Sequence, residues 1–327
     1  MTRRLLKTTE KIGKYIIGRR LVDPIKCKWD ILIMIDGCRY DKFKKYYRNI
    51  LGVSGLKKAI TCAVDTIGWF NLLFKNREDK DMQTIICINS FIILPLVIDP
   101  SKFYMLINVW KEAYDHNTGI IDPVKFTNIA IKHMHKHPDK RFLIRYEQPH
   151  FPFISLGGDK KHDTPDFFIK QAKNKMPKLK TYYIRQKKNL PRQLTTDAMV
   201  PKIWGKRGLA GKIITILTSR EFTWKLDRFL RREPPDEMGR YYFKVGKKGI
   251  IKAYEENLKI VLKHICKIMD EFPNKKILIL SDHGFLLGEY GGEYANFNYP
   301  IMKQTRRKPE IITVPWLEIP TKKKNRV

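Results

Sequence analysis

Five side chains that can bind a divalent ion or contact an anion stand directly after short apolar segments of this sequence. In chain order they are Asp36, Glu147, His150, Asp282 and His283. Carboxylates and imidazoles together form the mixed oxygen and nitrogen ligand sets that Zn²⁺ and Mn²⁺ accept. A single Asp after a strand often only caps the next helix. Polar side chains after three such segments predict instead a shared metal site.

Four apolar segments, which include the three that precede these side chains, are short, unbroken and rich in Ile and Leu. They cover residues 31–35, 84–88, 142–146 and 277–281. This pattern is typical of strands buried on both faces. Residues 253–272 repeat apolar side chains with the 3.6-residue period of a helix. The sequence therefore predicts an α/β fold with a mostly parallel central sheet flanked by helices, in which ligands bind at the carboxyl ends of the strands.

The chain is strongly basic, with 65 Lys and Arg against 33 Asp and Glu and a net charge of +32. Such a surface favours anionic partners, which include a small anionic substrate, a glycan or a lipid. No recognisable nucleic-acid-binding module supports nucleic acid as the partner. A generally basic proteome would explain the same charge, and the sequence leaves these two explanations open.

The charge is distributed unevenly and divides the chain. Residues 1–28 predict a basic N-terminal helix that either contacts a membrane surface or docks on the domain. Residues 29–318 form the predicted α/β domain, and residues 319–327 a basic tail. Within the domain, residues 159–250 carry 24 Lys and Arg against 9 Asp and Glu and lack a long apolar period. This segment is interpreted as a basic insertion or cap.

The cysteines and the hydropathy pattern bear on the compartment. The five cysteines are scattered without a CxxC pair, which argues against a disulfide framework or a zinc ribbon. No apolar run reaches the ~18 residues of a membrane span, and no long apolar segment of a secretory signal follows the basic start. A cytoplasmic location, including the inner membrane surface, is expected.

Five motifs in fixed order resemble the alkaline phosphatase superfamily, and within it most closely the archaeal sulfatase-like proteins. The motifs are "WDILIMIDGCRYD", "TIGWF", "HPDKRFLIRYEQPHFPFI", "SDHGFLLGE" and "ITVPWLEI". The resemblance extends from about residue 28 to residue 318 and fails over the basic insertion. Its order and its placement at strand ends make it specific for the superfamily, and much less so for the substrate.

The resemblance implies a metal-bound nucleophile. Carried over to this sequence, the metal ligands are Asp36, Thr66, Asp282 and His283, and the Thr66 hydroxyl is the nucleophile. One divalent ion is expected, with Mn²⁺ or Zn²⁺ favoured over Ca²⁺ because imidazole suits transition metals. His150 resembles a histidine that contacts the substrate in sulfatases and lipoteichoic-acid synthases. Its alternative role is to orient a loop through hydrogen bonds.

Two other side chains compete for the role of nucleophile. Thr61 lies close to Thr66 in the sequence and is the alternative hydroxyl. Cys38 follows the first carboxylate, but apart from Arg39 nothing near it in the sequence would lower the thiol pKa, so it is interpreted as a packing residue. Arg39 and Asp41 are expected to form a structural pair. The group His133, His135 and His137 is interpreted as a solvated helix end rather than a metal site.

The sequence departs from the superfamily pattern at two positions. Tyr299 stands where a histidine that binds metal or the transferred group is expected, and Phe285 stands where a glutamate is usual. Both departures argue against a second metal ion. The chain also lacks the CxPSR-like motif that sulfatases convert to formylglycine. A phosphoester is therefore favoured over a sulfate ester as the substrate.

Three functions remain in view from the sequence. The first is a metal-dependent phosphoester hydrolase or transferase, similar to the phosphoglycerol and phosphoethanolamine transferases, acting on an anionic glycan or lipid. The second is a catalytically degenerate protein that binds a polyanion in the old pocket. The third, nucleic-acid binding, has only the charge in its favour. The ligand-type residues at strand ends favour the enzyme, because metal-assisted transfer requires them.

Overall fold

The structure is a computed structural model, and it describes residues 13–75, 77, 80–159, 165–166, 169–170, 173, 220–234, 237–289, 297–298 and 308–321. The strands are β1 (Tyr15–Ile17), β2 (Arg20–Val22), β3 (Ile31–Asp36), β4 (Lys57–Ile60), β5 (Ile85–Asn89), β6 (Met105–Asn108), β7 (Arg141–Pro149), β8 (Ile277–Ser281), β9 (Leu286–Leu287), β10 (Phe297–Asn298) and β11 (Thr313–Ile319). The α-helices are α1 (Tyr40–Leu51), α2 (Thr66–Phe70), α3 (Leu94–Val97), α4 (Trp110–Ala113), α5 (Pro123–Lys136), α6 (Arg220–Phe229), α7 (Glu237–Glu271) and α8 (Pro309–Ile312).

A large central sheet flanked by helices confirms the predicted α/β fold. Its strand order is β2-β1-β4-β11-β8-β3-β7-β5-β6. The pairs among β8, β3, β7, β5 and β6 are parallel, whereas β11, β4, β1 and β2 pair antiparallel along the other half. The sheet is thus mixed rather than mostly parallel. All four predicted strands lie in the parallel half, because only strands covered on both faces have unbroken apolar runs.

The N-terminal helix predicted for residues 1–28 is wrong over its described part. Residues 1–12 lie outside the described residues, and β1 and β2 form a hairpin at the sheet edge. Gly18 begins the turn with φ 61°, a conformation that glycine adopts without strain. Pairing of β1 with β4 buries Tyr15 and Ile16 in the sheet. The burial of these side chains in the sheet stabilises the strands more than the helical spacing of the apolar residues would stabilise a helix.

The central strand β3 separates two apolar layers. Ile31, Ile33 and Ile35 face the layer formed with α1, α5 and α7, while Leu32 and Met34 face the layer that contains α2. This alternation follows the two-residue period of a strand. Because all five side chains are buried, β3 is fixed between the layers, and its end is a rigid position for a functional group.

Helix α7 is longer than the helix predicted for residues 253–272. It begins at Glu237 and contains a kink at Gly246, where φ is 66° and ψ is −176°. Residues 237–250, the end of the predicted insertion or cap, therefore form part of a packed helix. Met238, Tyr242 and Ile250 are buried against the loops at the carboxyl edge of the sheet. Their basic neighbours in the sequence hid this apolar face.

Strands β8, β3 and β7 are adjacent and parallel, so their carboxyl ends meet at one edge of the sheet. The register pairs Ile35 with Ser281 of β8 and with Tyr146 of β7. A bulge then shifts the β7 pairing, so that Asp36 lies opposite Pro149. The polar residues that follow these three strands are thereby brought to the same place.

None of the helices in these described ranges is both long enough and apolar enough to cross a membrane.

Packing of α7 against the sheet is expected to dominate stability. Leu262→Ala removes a fully buried side chain from the largest apolar layer and should lower the free energy of unfolding by about 2–5 kcal/mol. Lys263→Ala, at the adjacent exposed position, should change it by no more than about 0.5 kcal/mol. Urea denaturation of both variants measures the difference, and equal effects would contradict this packing.

Candidate metal centre

Four residues named from the sequence lie together at the carboxyl edge of the sheet. Nε2 of His283 is 3.5 Å from Oδ1 of Asp36 and 3.5 Å from Oδ2 of Asp282. Oγ1 of Thr66 is 2.7 Å from the same Asp282 oxygen and 3.4 Å from Oδ1 of Asp36. All four side chains are buried. Two carboxylates and an imidazole that converge out of solvent form a donor set suited to a divalent ion.

His283 is oriented by its own backbone neighbour. Nδ1 of the ring lies 2.7 Å from the carbonyl oxygen of Gly284, so Nδ1 carries the proton and donates it. In the neutral ring this leaves the lone pair on Nε2, which points toward the carboxylates. Fixing of the tautomer by a hydrogen bond to a carbonyl is usual for histidines that bind metals.

Asp282 is held by backbone amides. Its Oδ1 accepts hydrogen bonds from the backbone N–H of Gly37, at 3.1 Å, and of His283, at 2.8 Å. Oδ2 is therefore the oxygen presented to Thr66. The next residue, Gly284, passes so close to α8 that an added Cβ would lie 1.9 Å from the carbonyl oxygen of Glu310. Glycine at this position therefore allows the close approach of the two segments directly after Asp282 and His283.

Thr66 is the first residue of α2, and this short helix is anchored on both sides. The carboxylate of Asp65 caps it by accepting a hydrogen bond from the N–H of Gly68 at 2.7 Å. Trp69 is fully buried and donates to the hydroxyl of Tyr15 at 2.6 Å. That hydroxyl donates in turn to the carbonyl of Ser281 at 2.7 Å. The helix is thus connected to the end of β8, next to Asp282 and His283.

Thr61 and Cys38, the alternative nucleophiles, have other environments. The Thr61 hydroxyl donates to the backbone carbonyl of Asp282 and so supports the loop rather than joining the carboxylates. Cys38 is fully buried with its sulfur 3.8 Å from the carbonyl oxygen of Arg39, and burial raises the pKa of its thiol. A buried neutral thiol is a poor nucleophile, which agrees with the interpretation of Cys38 as a packing residue.

His150 lies beside the ligand group and is fixed by a separate set of contacts. Its Nδ1 is 2.7 Å from the carbonyl oxygen of Phe151, so in the neutral ring the lone pair lies on Nε2, which is buried. The side-chain amide of Asn257 on α7 donates to the carbonyls of His150, at 3.2 Å, and Pro152, at 3.1 Å. Phe285 packs edge-on against the imidazole with ring centroids 5.4 Å apart. Phe285, which stands where the superfamily pattern has a glutamate, therefore helps to hold the His150 ring in place by packing against it.

Helix α7 also supports the loop after β3. The hydroxyl of Tyr254 donates to the carbonyl of Gly37 at 2.7 Å and accepts from the N–H of Arg39 at 3.1 Å. Gly37 has φ 61°, and an added Cβ there would lie 3.5 Å from the ring of His283 and 3.6 Å from that of His150. The tight turn thus lets both imidazoles approach the loop.

Arg145 is a central residue of the site that the sequence did not reveal. It lies in the middle of β7 and is fully buried. Its Nη2 donates to Oδ2 of Asp36, while Nη1 lies 2.7 Å from Oε2 of Glu147 and 2.7 Å from Oγ of Ser90. The available signal was a charged residue inside an otherwise apolar strand, since such a residue needs a buried partner.

The charges perturb one another. Burial raises the pKa of Asp36 to about 6, even though Arg145 opposes the shift. Burial lowers the pKa of His283, but the carboxylates of Asp282 and Asp36 outweigh it, so the pKa lies above the usual value. Burial also lowers the pKa of Arg145, but the carboxylates of Glu147 and Asp36 raise it by more than burial lowers it. The guanidinium therefore stays charged. Perturbed groups of this kind cluster at functional sites.

The remaining predictions from the sequence fall outside the site. Arg39 pairs with both oxygens of Asp41, at 2.8 and 2.9 Å, as expected of a structural pair. His135 is exposed and pairs with Glu271 at 2.7 Å, which agrees with a solvated helix end. Tyr299 lies outside the described residues.

No family model matches the chain, and no curated protein matches it in sequence. Solved structures resemble it in fold at low identity. One is the integral membrane lipooligosaccharide phosphoethanolamine transferase A of Neisseria meningitidis, with 10% identity, a TM-score of 0.49, and coverage of 93% of this chain and 49% of that protein. The chain thus spans about half of that protein's length.

Two further structures are similar. The periplasmic domain of Escherichia coli EptC in complex with Zn has 10% identity, a TM-score of 0.45, and coverage of 92% of this chain and 75% of that domain. A protein bound to its substrate D-glucosamine-2-N,6-O-disulfate has 15% identity, a TM-score of 0.44, and coverage of 90% and 72%. At these identities the similarity is one of fold alone. The closer resemblance to archaeal proteins stays a prediction, and the expected cytoplasmic location finds no support here.

If Asp36 and Asp282 bind a metal ion, replacing either should weaken binding strongly. Asp36→Asn and Asp282→Asn are each expected to reduce the affinity for Mn²⁺ or Zn²⁺ by about 10-fold or more. Replacing a residue that only hydrogen-bonds to a metal ligand already reduces metal affinity by about that factor. Isothermal titration calorimetry measures the effect. Asp41→Asn, whose side chain is 56% exposed, is the control and should bind as the wild type does.

Metal affinity is also expected to rise with pH. A bound ion requires Asp36 ionised and His283 neutral, and both groups have a pKa above the usual value. Protons should therefore compete with the metal at about pH 5 and much less at about pH 7.5. Titrations in buffers of different ionisation enthalpy count the protons released. An affinity that is constant over this range would exclude these two groups as ligands.

Proposed function

We propose that the chain is a metal-dependent hydrolase or transferase that acts on a phosphoester through the hydroxyl of Thr66. The observation that carries this proposal is the position of that hydroxyl. It lies 2.7 Å from Asp282 and 3.4 Å from Asp36, inside a buried group that also contains His283. A threonine needed only to cap or pack would not have to meet two carboxylates at this edge of the sheet.

The donor set fits one divalent ion, with Mn²⁺ or Zn²⁺ favoured over Ca²⁺. Asp36, Asp282 and His283 would bind it, with Thr66 as a further oxygen ligand. The fixed ring of His283 favours a transition metal, because Ca²⁺ prefers shells made only of oxygen. When bound, the ion supplies positive charge that lowers the pKa of a neighbouring hydroxyl and stabilises charge on the transferred group.

The residues of the chain divide the reaction between them. Asp282 is placed to accept the hydroxyl proton of Thr66 as its oxygen bonds to phosphorus. The bond from phosphorus to the leaving oxygen breaks with its electron pair, and that oxygen takes up a proton from solvent. Water or an acceptor hydroxyl then displaces Thr66 from phosphorus and loses its proton to solvent, while Asp282 returns the first proton to the Thr66 oxygen. Positioning of the nucleophile by α2 keeps it fixed through both steps.

His150 is proposed to contact the transferred group or the leaving oxygen. Its ring is buried beside Gly37 and packs against Phe285, and its backbone carbonyl accepts a hydrogen bond from Asn257. With Nδ1 turned to a carbonyl, Nε2 is the ring atom proposed to bond to an oxygen of the substrate.

The substrate is proposed to be an anionic glycan or lipid. The net charge of +32 supports an anionic partner, and the missing formylglycine motif favours a phosphoester over a sulfate ester. Binding of a polyanion without catalysis is the competing function, because the residue usual after the "SDHG" motif is replaced by Phe285. The experiment below separates the two.

Thr66→Ala is expected to abolish turnover while substrate binding persists, because it removes the covalent step and keeps the metal-binding carboxylates. Thr66→Ser should retain part of the activity, since the hydroxyl survives. A screen of phosphomonoesters and phosphodiesters with Mn²⁺ or Zn²⁺ measures turnover. Mass spectrometry of the quenched wild-type reaction should show the transferred group on the Thr66 peptide.

Cys38→Ala is the matched control, because it removes a buried nucleophilic atom near the same loop. It should turn over substrate at close to the wild-type rate. Loss of activity in Cys38→Ala together with normal activity in Thr66→Ala would reverse the assignment. Absence of turnover in the wild type, with tight binding of a polyanion, would establish the competing function.

A further inference from the structure

We propose that Arg145 is a resident cation that occupies the place of a second metal ion and limits the site to one. This inference rests on the metal centre of the proposed function and concerns its stoichiometry. It starts from the two groups of potential metal ligands in the described residues, which share one carboxylate. The first group is Asp36, Asp282 and His283, and the second is Asp36, Glu147 and His150.

The guanidinium of Arg145 lies between the two carboxylates of the second group. Nη2 donates to Oδ2 of Asp36, and Nη1 donates to Oε2 of Glu147 at 2.7 Å. Nη1 also contacts Oγ of Ser90 at 2.7 Å, and the ring of Phe91 lies 4.8 Å from the guanidinium carbon. The side chain is fully buried. It is therefore held on several sides in a position that only a large displacement would vacate.

The shared carboxylate serves the two groups with different oxygens. Oδ1 of Asp36 faces Thr66 and His283, whereas Oδ2 is bonded to Arg145. The guanidinium thus fixes the rotation of the carboxylate and turns Oδ1 toward the first group. A planar donor is suited to this task because it bonds in fixed directions.

The charges of the site are balanced by this arrangement and one divalent ion. The ionised carboxylates of Asp36, Asp282 and Glu147 carry three negative charges, which Arg145 and one such ion neutralise together. A second divalent ion would leave an excess of two positive charges in a site without solvent, at a high electrostatic cost. It would also compete directly with Arg145 for the oxygens of Asp36 and Glu147.

A buried ion pair that only stabilises the fold would make a different prediction, because removing it would change stability and leave the number of bound ions unaltered. Metal stoichiometry therefore separates the two roles. The comparison uses Arg145→Met, which removes the cation, and Arg145→Lys, which keeps it. Arg141→Met is the matched control. This arginine begins the same strand, but it stacks on Trp29, with 3.7 Å between the guanidinium carbon and the ring centroid, and it donates to the backbone carbonyls of Trp29 and Ile25.

Each protein is saturated with Mn²⁺ or Zn²⁺, dialysed and analysed for bound metal by mass spectrometry, with calorimetry as a second measure. The wild type, Arg145→Lys and Arg141→Met are expected to bind one ion per chain. Arg145→Met is expected to bind two, because the second group is then open. A ratio that stays at one in folded Arg145→Met would overturn the inference and leave the proposed function standing.

Glu147→Gln tests the inference if Arg145→Met does not fold. If Arg145 already excludes metal from the second group, loss of this carboxylate should leave the ratio at one and the affinity within about threefold, a change of less than ~1 kcal/mol. A wild type that binds two ions, of which Glu147→Gln loses one, would overturn the inference. A wild type that binds no metal would overturn the proposed metal centre and this inference with it.

Discussion

Burial of two neighbouring carboxylates, Asp36 and Asp282, is the constraint to which the rest of the site responds. Two such charges side by side without solvent are unstable unless each finds compensation. Asp282 obtains it from two backbone amides, and Asp36 from the guanidinium of Arg145. Because the two are compensated differently, Oδ2 of Asp282 accepts a hydrogen bond from the Thr66 hydroxyl while Asp36 is bonded to a fixed cation.

The sheet supplies the accuracy that these contacts need. Strand β3 lies between β8 and β7, and all three are parallel, so three loops begin within one patch. Buried apolar layers on both faces hold the strands in register. The antiparallel half of the sheet contributes indirectly, since Tyr15 of β1 connects α2 to the end of β8. Edge strands far from the chemistry thus help to position Thr66.

The sequence predicted four of the five parallel strands, for a physical reason. Strands buried on both faces must be continuously apolar, and a charged residue at their end is conspicuous. The strands β4 and β6 escaped notice because their side chains are mostly exposed or only half-buried. The N-terminal hairpin was mistaken for a helix, because three-residue strands are too short to show a period. Arg145 was read as part of an apolar run, and its partners are up to 109 positions away in the sequence.

Helix α7 supports two loops of the site from one face. Tyr254 binds the loop after β3, and Asn257, three residues on and so on the same side of the helix, binds the loop after β7. The ligand pair after β8 is instead supported by backbone amides and by α2. These two loops are therefore both coupled to one helix, and the loop after β3 is coupled in turn to Asp282 through the backbone N–H of Gly37. A displacement of α7 would therefore act on the backbone of Gly37 and of His150 together, whereas Asp36 is held by β3, so the spacing between His150 and Asp36 depends on how firmly α7 sits on the sheet.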